Sequence, residues 1–194
     1  MLSEVLAPKQ IKEDAESLQI WGKDWTNGFV VAPSAIVFPE SIEQLQDLVA
    51  HARSHDLKLV PSGGRTGLSG GAVASQGEVV VSFDRMNQIL DFSPEDRIVT
   101  CQPGVITANL QAFAAEQGLF YPVDFASSGS SQIGGNVATN AGGIKVIRYG
   151  LTRDWVAGMK VVTGTVALLD CYAGLIKIVF GFDFRHLMIG SEGT

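Results

Sequence analysis

The sequence predicts a packed domain that mixes helices and strands. Three observations carry this: a strand-helix-strand pattern near the N-terminus, β-branched runs separated by glycine-rich loops, and no internal repeat or low-complexity tract. Residues 35–38 (AIVF) read as a short buried strand. Pro39, Glu40 and Ser41 then open a helix whose apolar positions Ile42, Leu45, Leu48, Val49 and Ala52 follow the helical period, closing near His55 and Asp56. Residues 57–60 (LKLV) form a second strand, so 35–60 is a βαβ unit whose strands should be parallel with a right-handed crossover.

Residues 61–77 are glycine, serine and threonine without a helical period, and 78–83 (EVVVSF) resume as a β-branched strand. A strand at 98–101 precedes a helix from Thr107 to Gln117, with Leu110, Phe113 and Ala114 on one face and Gly118 as its stop. A second long loop, 122–143, follows, then apolar strands at 159–162 and 166–169 and a poorly patterned stretch at 171–184.

Composition narrows the function classes. The chain has 194 residues, enough for one large domain or two small ones. Mean hydropathy is +0.21, yet no apolar run approaches the roughly 20 residues of a spanning helix, so no transmembrane segment is expected. Fourteen Lys and Arg against twenty Asp and Glu leave a charge of -6 without a basic stripe, which argues against nucleic acid as a partner. Two cysteines, Cys101 and Cys171, are too few for a disulfide framework or a cysteine-based metal site. With no signal or transit pattern at the N-terminus, the expected compartment is the cytoplasm. Glycine is the outlier, at 22 residues where average usage gives about 14.

The first glycine cluster, residues 61–71, has the make-up of a nest in which successive backbone N–H groups converge on an anion. It lacks the lysine of a Walker loop, and it leads into a strand where a Rossmann turn would open a helix. Ser69 sits in a G-x-S-x-G match, but the strand-turn-helix context is missing and His186 has no evident carboxylate orienter; a serine hydrolase is the remote alternative. A Gly-rich surface loop without a ligand is the bland one. The second cluster, 124–143, weakens the bland reading: it is nearly uncharged and dense in hydroxyl, amide and glycine groups. Such a surface suits a large, flat polar ligand, with Asn136, Thr139 and Asn140 offering hydrogen bonds.

At these residues the chain resembles a known family. P-S-G-G-R-T-G, then G-S-x-x-G-G-N-x-A-T-N-A-G-G, Arg148-Tyr149-Gly150, G-M-K-V-V-T-G and I-G-S-E-G-T occur in order between Pro33 and Thr194. This looks like the FAD-binding domain of the vanillyl-alcohol oxidase and p-cresol methylhydroxylase superfamily, in the branch of glycolate oxidase flavin subunits, D-lactate dehydrogenases and D-2-hydroxyglutarate dehydrogenases. The resemblance implies an α+β fold of two lobes, an N-terminal βαβ lobe and a larger mixed-sheet lobe with FAD between them. It implies an N-terminal extension over 1–32 and an FAD-binding domain over 33–194, without the substrate domain.

On that template Pro61, Ser62, Gly63, Gly64, Arg65, Thr66, Gly67 and Leu68 hold the pyrophosphate. Ser130, Ile133, Gly134, Gly135, Asn136, Thr139, Asn140, Ala141, Gly142 and Gly143 line the ribityl chain and isoalloxazine, and Val161 and Glu192 lie towards the adenosine. Some relatives attach FAD through a histidine directly after the paired glycines; here that position is Arg65, so the resemblance implies dissociable FAD. It further implies an oxidoreductase of 2-hydroxy acids such as glycolate, D-lactate or D-2-hydroxyglutarate, whose partners are an electron acceptor and either oxidase-complex subunits or a second copy. Its catalytic and metal-binding groups belong to the substrate domain, so turnover by this chain alone is not expected.

No metal site is expected within the chain. His51 and His55 are spaced i, i+4 but read as a solvated pair on the polar side of their helix, without the glutamate of a zincin. His186 reads as a packing residue, and Arg148, Arg153 and Arg185 as surface ion-pair partners. Two segments depart from the family. Val166 and Ala167 stand in a turn that wants glycine, and Ile178, Val179 and Phe180 replace a polar segment, forming with Phe182 and Phe184 a candidate apolar patch. These departures motivate the non-enzymatic alternative, a flavin-fold fragment or subunit acting as a scaffold.

Overall fold

A computed structural model describes residues 1–171 and 181–193. The chain divides into two units, Met1–Met86 with Val162–Leu168, and Asn87–Val161 with Leu169–Thr194.

The first unit is built on a four-stranded sheet. β1 (Ile11–Lys12) is followed by helix α1 (Ala15–Trp21), β2 (Ala35–Val37), α2 (Ile42–Ser54), β3 (Leu59–Ser62) and β4 (Val79–Ser82), and the sheet order is β1-β2-β4-β3. The βαβ unit is present, with α2 capped by Ser41 Oγ accepting from Gln44 N–H at 3.2 Å. Its two strands are not neighbours, however. β4 lies between them, parallel to both, with Val80 facing Ile36 on one side and Val60 on the other. β4 is three valines and a serine, buried at every position, and takes the position covered on both faces, as central parallel strands do.

Alternation along the strands sorts the core into two layers. Val37, Val79 and Val81 pack with Leu48 of α2 and Leu6, while Ile36, Phe38, Val80 and Ala74 pack with Leu18 and Trp21 of α1. Residues 1–32 thus contribute to both layers, and Ile11 pairs antiparallel with Val37.

The second unit carries β5 (Ile89–Ser93), β6 (Ile98–Cys101), α3 (Thr107–Glu116), α4 (Ile133–Ala138), α5 (Val146–Tyr149) and α6 (Arg185–Met188), and most of the strand pair β7 (Lys160–Val162) and β8 (Leu168–Asp170). β5 and β6 form an antiparallel ribbon, with Phe92 set edge-on to Phe113 of α3 at 5.6 Å. The α+β class stands, but the mixed sheet lies in the first unit; the second has a two-stranded β5–β6 ribbon. The structure adds β1, α1, β5, α5 and α6, for which the sequence reading has no counterpart, and the 122–143 loop contains α4.

Candidate functional site

In the first unit, β3 delivers the chain to the first glycine cluster. The Ser62 side chain is 0% exposed, and its Oγ has no hydrogen-bond partner among the described residues. A buried hydroxyl left in this way is a donor awaiting an acceptor. Two residues on, Arg65 turns the backbone into the left-handed region with φ +58°. For a residue other than glycine that is a strained conformation of the kind concentrated at functional sites. Its guanidinium folds back on the chain, with Nη1 donating to Gly63 O at 3.1 Å and lying 3.4 Å from Asp84 Oδ2, over the Trp21 ring.

Asp24, which the motif reading passed over, pins the rest of the loop. It is 7% exposed; Oδ2 accepts from Gly70 N–H at 3.0 Å and Oδ1 from Thr26 N–H at 2.8 Å, while Trp25 N–H donates to Gly67 O. The Asp24-Trp25-Thr26 turn was its only local signal, and such turns are common. A Cβ at Gly67 would meet only Asp24 Oδ2, at an ordinary 3.5 Å. Packing therefore does not demand glycine there, and the missing side chain leaves the loop surface open to a ligand.

In the second unit the glycines divide by role. A Cβ on Gly134 would lie 2.6 Å from Pro103 Cβ, and one on Gly143 would collide with the Asp124 carbonyl, so both serve the chain's own packing. Around Gly135 there is nothing within 4 Å of the same point. Gly135 is thus an open position on a short helix whose neighbours are fixed. Asn136 is 4% exposed and its Nδ2 donates to Thr107 Oγ1 at 2.7 Å, so this amide fastens α4 to α3. Thr139 Oγ1 donates to Gly135 O, and Asn140, left-handed at φ +48°, accepts from Arg153 N–H through Oδ1 at 3.0 Å. Glu192, also left-handed, donates its N–H to Ala138 O at 2.8 Å. The fold therefore brings Glu192 to the end of α4, together with the 133–143 residues; Ser130 is exposed just before them and Val161 lies half-buried in β7.

Several other side chains are placed differently from the sequence reading. Arg185 is a buried group, 9% exposed, its guanidinium spent on Asp183 and on the carbonyls of Val156 and Ala157. His186 is exposed, 3.6 Å from Asp183. His51 is 8% exposed and stacked on His55, so the pair is not simply solvated. Ser69 lies on an exposed bend leading to β4, without the helix of a nucleophile elbow. Phe182 and Phe184 are exposed, while Ile178, Val179 and Phe180 lie outside the described residues. Burial pushes the Cys101 thiol up to about 11 and the Tyr121 phenol to about 12, so neither is poised as a base near neutral pH.

A protein family described as an FAD binding domain matches residues 33–172. The chain belongs to that family. It is 64% identical over 193 residues to D-2-hydroxyglutarate dehydrogenase of Stutzerimonas stutzeri (strain A1501), covering 100% of this chain and 42% of the relative. It is 35% identical to glycolate oxidase subunit GlcD of Bacillus subtilis (strain 168), covering 100% of the chain and 41% of that protein. Among solved structures, alkyldihydroxyacetonephosphate synthase superimposes with TM-score 0.85 at 25% identity, over 100% of this chain and 36% of that one. p-Cresol methylhydroxylase does so with TM-score 0.79 at 20% identity, over 97% and 39%. This FAD-binding domain thus has the p-cresol methylhydroxylase type of fold and spans about two fifths of the curated relatives' length. Among the described residues no helix is long and apolar enough to cross a membrane.

Proposed function

We propose that the chain is the FAD-binding portion of an oxidoreductase of 2-hydroxy acids, with D-2-hydroxyglutarate as the leading substrate. The observation that carries the substrate class is the 64% identity, across the whole chain, to a D-2-hydroxyglutarate dehydrogenase. What supports the cofactor within each unit is a feature that the chain's own packing does not use: in the first the Ser62 hydroxyl, without a partner among the described residues, and the open backbone at Gly67, and in the second the open backbone at Gly135.

In this reading Ser62, Gly63, Gly64 and the 65–68 backbone hold the pyrophosphate, with Asp24 keeping the loop in shape. Gly135, Thr139 and the 140–143 backbone hold the flavin portion, and Glu192 and Val161 lie towards the adenosine. Bound FAD would supply the acceptor for the hydride leaving the hydroxyl-bearing carbon. Arg65 occupies the position after the paired glycines, and its guanidinium is engaged with Asp84 and Gly63, so the cofactor is held without a covalent bond. The proposed substrate and electron acceptor act through the longer protein, and the cytoplasm is its proposed compartment.

The test is the visible spectrum of the purified chain after supply of FAD, followed by acid precipitation. A yellow protein that releases its flavin to the supernatant is expected; a chain that takes up no FAD overturns the cofactor reading in favour of a scaffold. In a protein extended to the relatives' full length, anaerobic D-2-hydroxyglutarate should bleach the flavin band. Persistence of the band with D-2-hydroxyglutarate, D-lactate and glycolate alike overturns the substrate class.

A further inference from the structure

Outside the glycine loops, the first unit gathers Glu4, His51 and His55, and the two histidines line an open cleft of about 530 Å³ together with Leu2, Pro8, Ile11 and Ala35. One ligand atom from each of the three lies within 4.8 Å of the others. The helical i, i+4 spacing brings the imidazoles together, their ring centres 4.0 Å apart. Glu4 comes from the N-terminal turn at Leu2–Glu4, far away in sequence, which is why the histidine spacing alone showed no carboxylate.

Two details orient the donors. His55 Nδ1 lies 2.9 Å from the His51 carbonyl, which only accepts, so Nδ1 carries the proton and Nε2 the lone pair. A ring nitrogen donating to a backbone carbonyl is the arrangement that fixes the tautomer of metal-bound histidines. On the other side, Glu4 Oε1 accepts from the Met1 amino group at 2.6 Å, while Oε2 faces His51 Nδ1 at 3.8 Å, too long for a hydrogen bond. That gap is closer to the roughly 3.3 Å between neighbouring ligands of a tetrahedral ion than to direct contact.

We propose that Glu4, His51 and His55 bind a divalent transition-metal ion of the zinc class, with water from the cleft completing its shell. Two imidazoles and a carboxylate suit Zn²⁺ and leave a fourth position open. His51 is the buried ligand, whereas Glu4 and His55 are exposed; the imidazoles are stacked with their planes 26° apart, so binding requires the exposed His55 ring to turn out of the stack and aim Nε2 at the ion. The site is independent of the flavin reading.

The test uses the untagged chain, stripped with a chelator, titrated with Zn²⁺ by calorimetry and with Co²⁺ by visible absorption. Saturable uptake of one equivalent is expected, with Co²⁺ bands of low coordination number. His55→Ala and Glu4→Gln alter exposed side chains, and each is expected to weaken binding by at least about tenfold, as loss of a ligand should exceed the effect of losing its outer partner. FAD uptake should be unchanged in both. Failure of the wild-type chain to saturate at millimolar Zn²⁺, or unchanged affinity in either variant, overturns the proposal.

Discussion

Asn136 Nδ2 donates to Thr107 Oγ1 at 2.7 Å, and Thr107 Oγ1 lies 2.7 Å from Ser131 Oγ, so one buried hydroxyl joins α4, the start of α3 and the loop between them. All three residues are buried. Replacing Asn136 with leucine strands the hydroxyl pair without its donor, a loss of about 1–3 kcal/mol. The urea midpoint of Asn136→Leu is expected to fall accordingly; an unchanged midpoint would show that the amide is not the fastening.

The adjacent glycines of α4 should respond oppositely to the same methyl group. Gly134→Ala drives Cβ against Pro103 and is expected to cost about 1–3 kcal/mol by overpacking. Gly135→Ala meets nothing and, inside a helix, is expected to leave stability unchanged or raise it by up to about 1 kcal/mol. Its FAD affinity should nevertheless drop. Calorimetric FAD titration of Gly135→Ala decides the point, and wild-type affinity there would remove this glycine from the cofactor surface.

Val166 is a β-branched residue at φ +71°, held by its N–H donating to Thr163 O and its carbonyl accepting from Gln46 Nε2 of α2. The turn does want glycine, and the chain adopts it regardless. Left-handed backbone costs an L-residue roughly 1–2 kcal/mol, partly offset in a glycine variant by the greater freedom of its unfolded chain. Val166→Gly is expected to raise stability by up to about 1 kcal/mol, and a lowered thermal midpoint would contradict the strain.

The hydrogen bonds that Arg185 donates hold the Asp183 carboxyl down to about 2, below its ordinary value. Because the folded-state value is the lower one, the contribution to stability is present above the unfolded pKa near 4 and is lost as pH falls through about 2. Acid unfolding followed from pH 5 downwards should therefore be less steep in Asp183→Asn than in the wild-type chain. Superimposable acid limbs would show that the pair does not couple to folding.

The elements that the sequence revealed are those in which local pattern and burial agree. α2 shows its apolar face in Leu45 and Leu48, and β4 is a run of valines because both of its faces are covered. β5 was hidden because Leu90 and Asp91 face solvent on a ribbon, leaving neither clean alternation nor an apolar run. α4 was hidden because two glycines oppose helix formation locally, and only Pro103 and Thr107 make the helix worthwhile. The glycine loops were legible as a site from composition; Asp24 and Glu4 were not, since each acts on residues distant in sequence.

The insertion of β4 between β2 and β3 also bears on the order in which the first unit assembles. β2 and β3 are complete at residue 62, yet neither has a parallel neighbour until the chain has travelled to Val79 and returned. The glycine loop is therefore a bridge across the sheet, tied at one end to β3, at the other to β4, and midway to Asp24. Closing it and completing the sheet are one event, with the loop entropy spent before the central contacts form. The amide of Ala74, buried within the loop and donating to Gly22 O, should thus gain protection from hydrogen exchange only as the whole unit folds, which makes it a clock for folding of the unit.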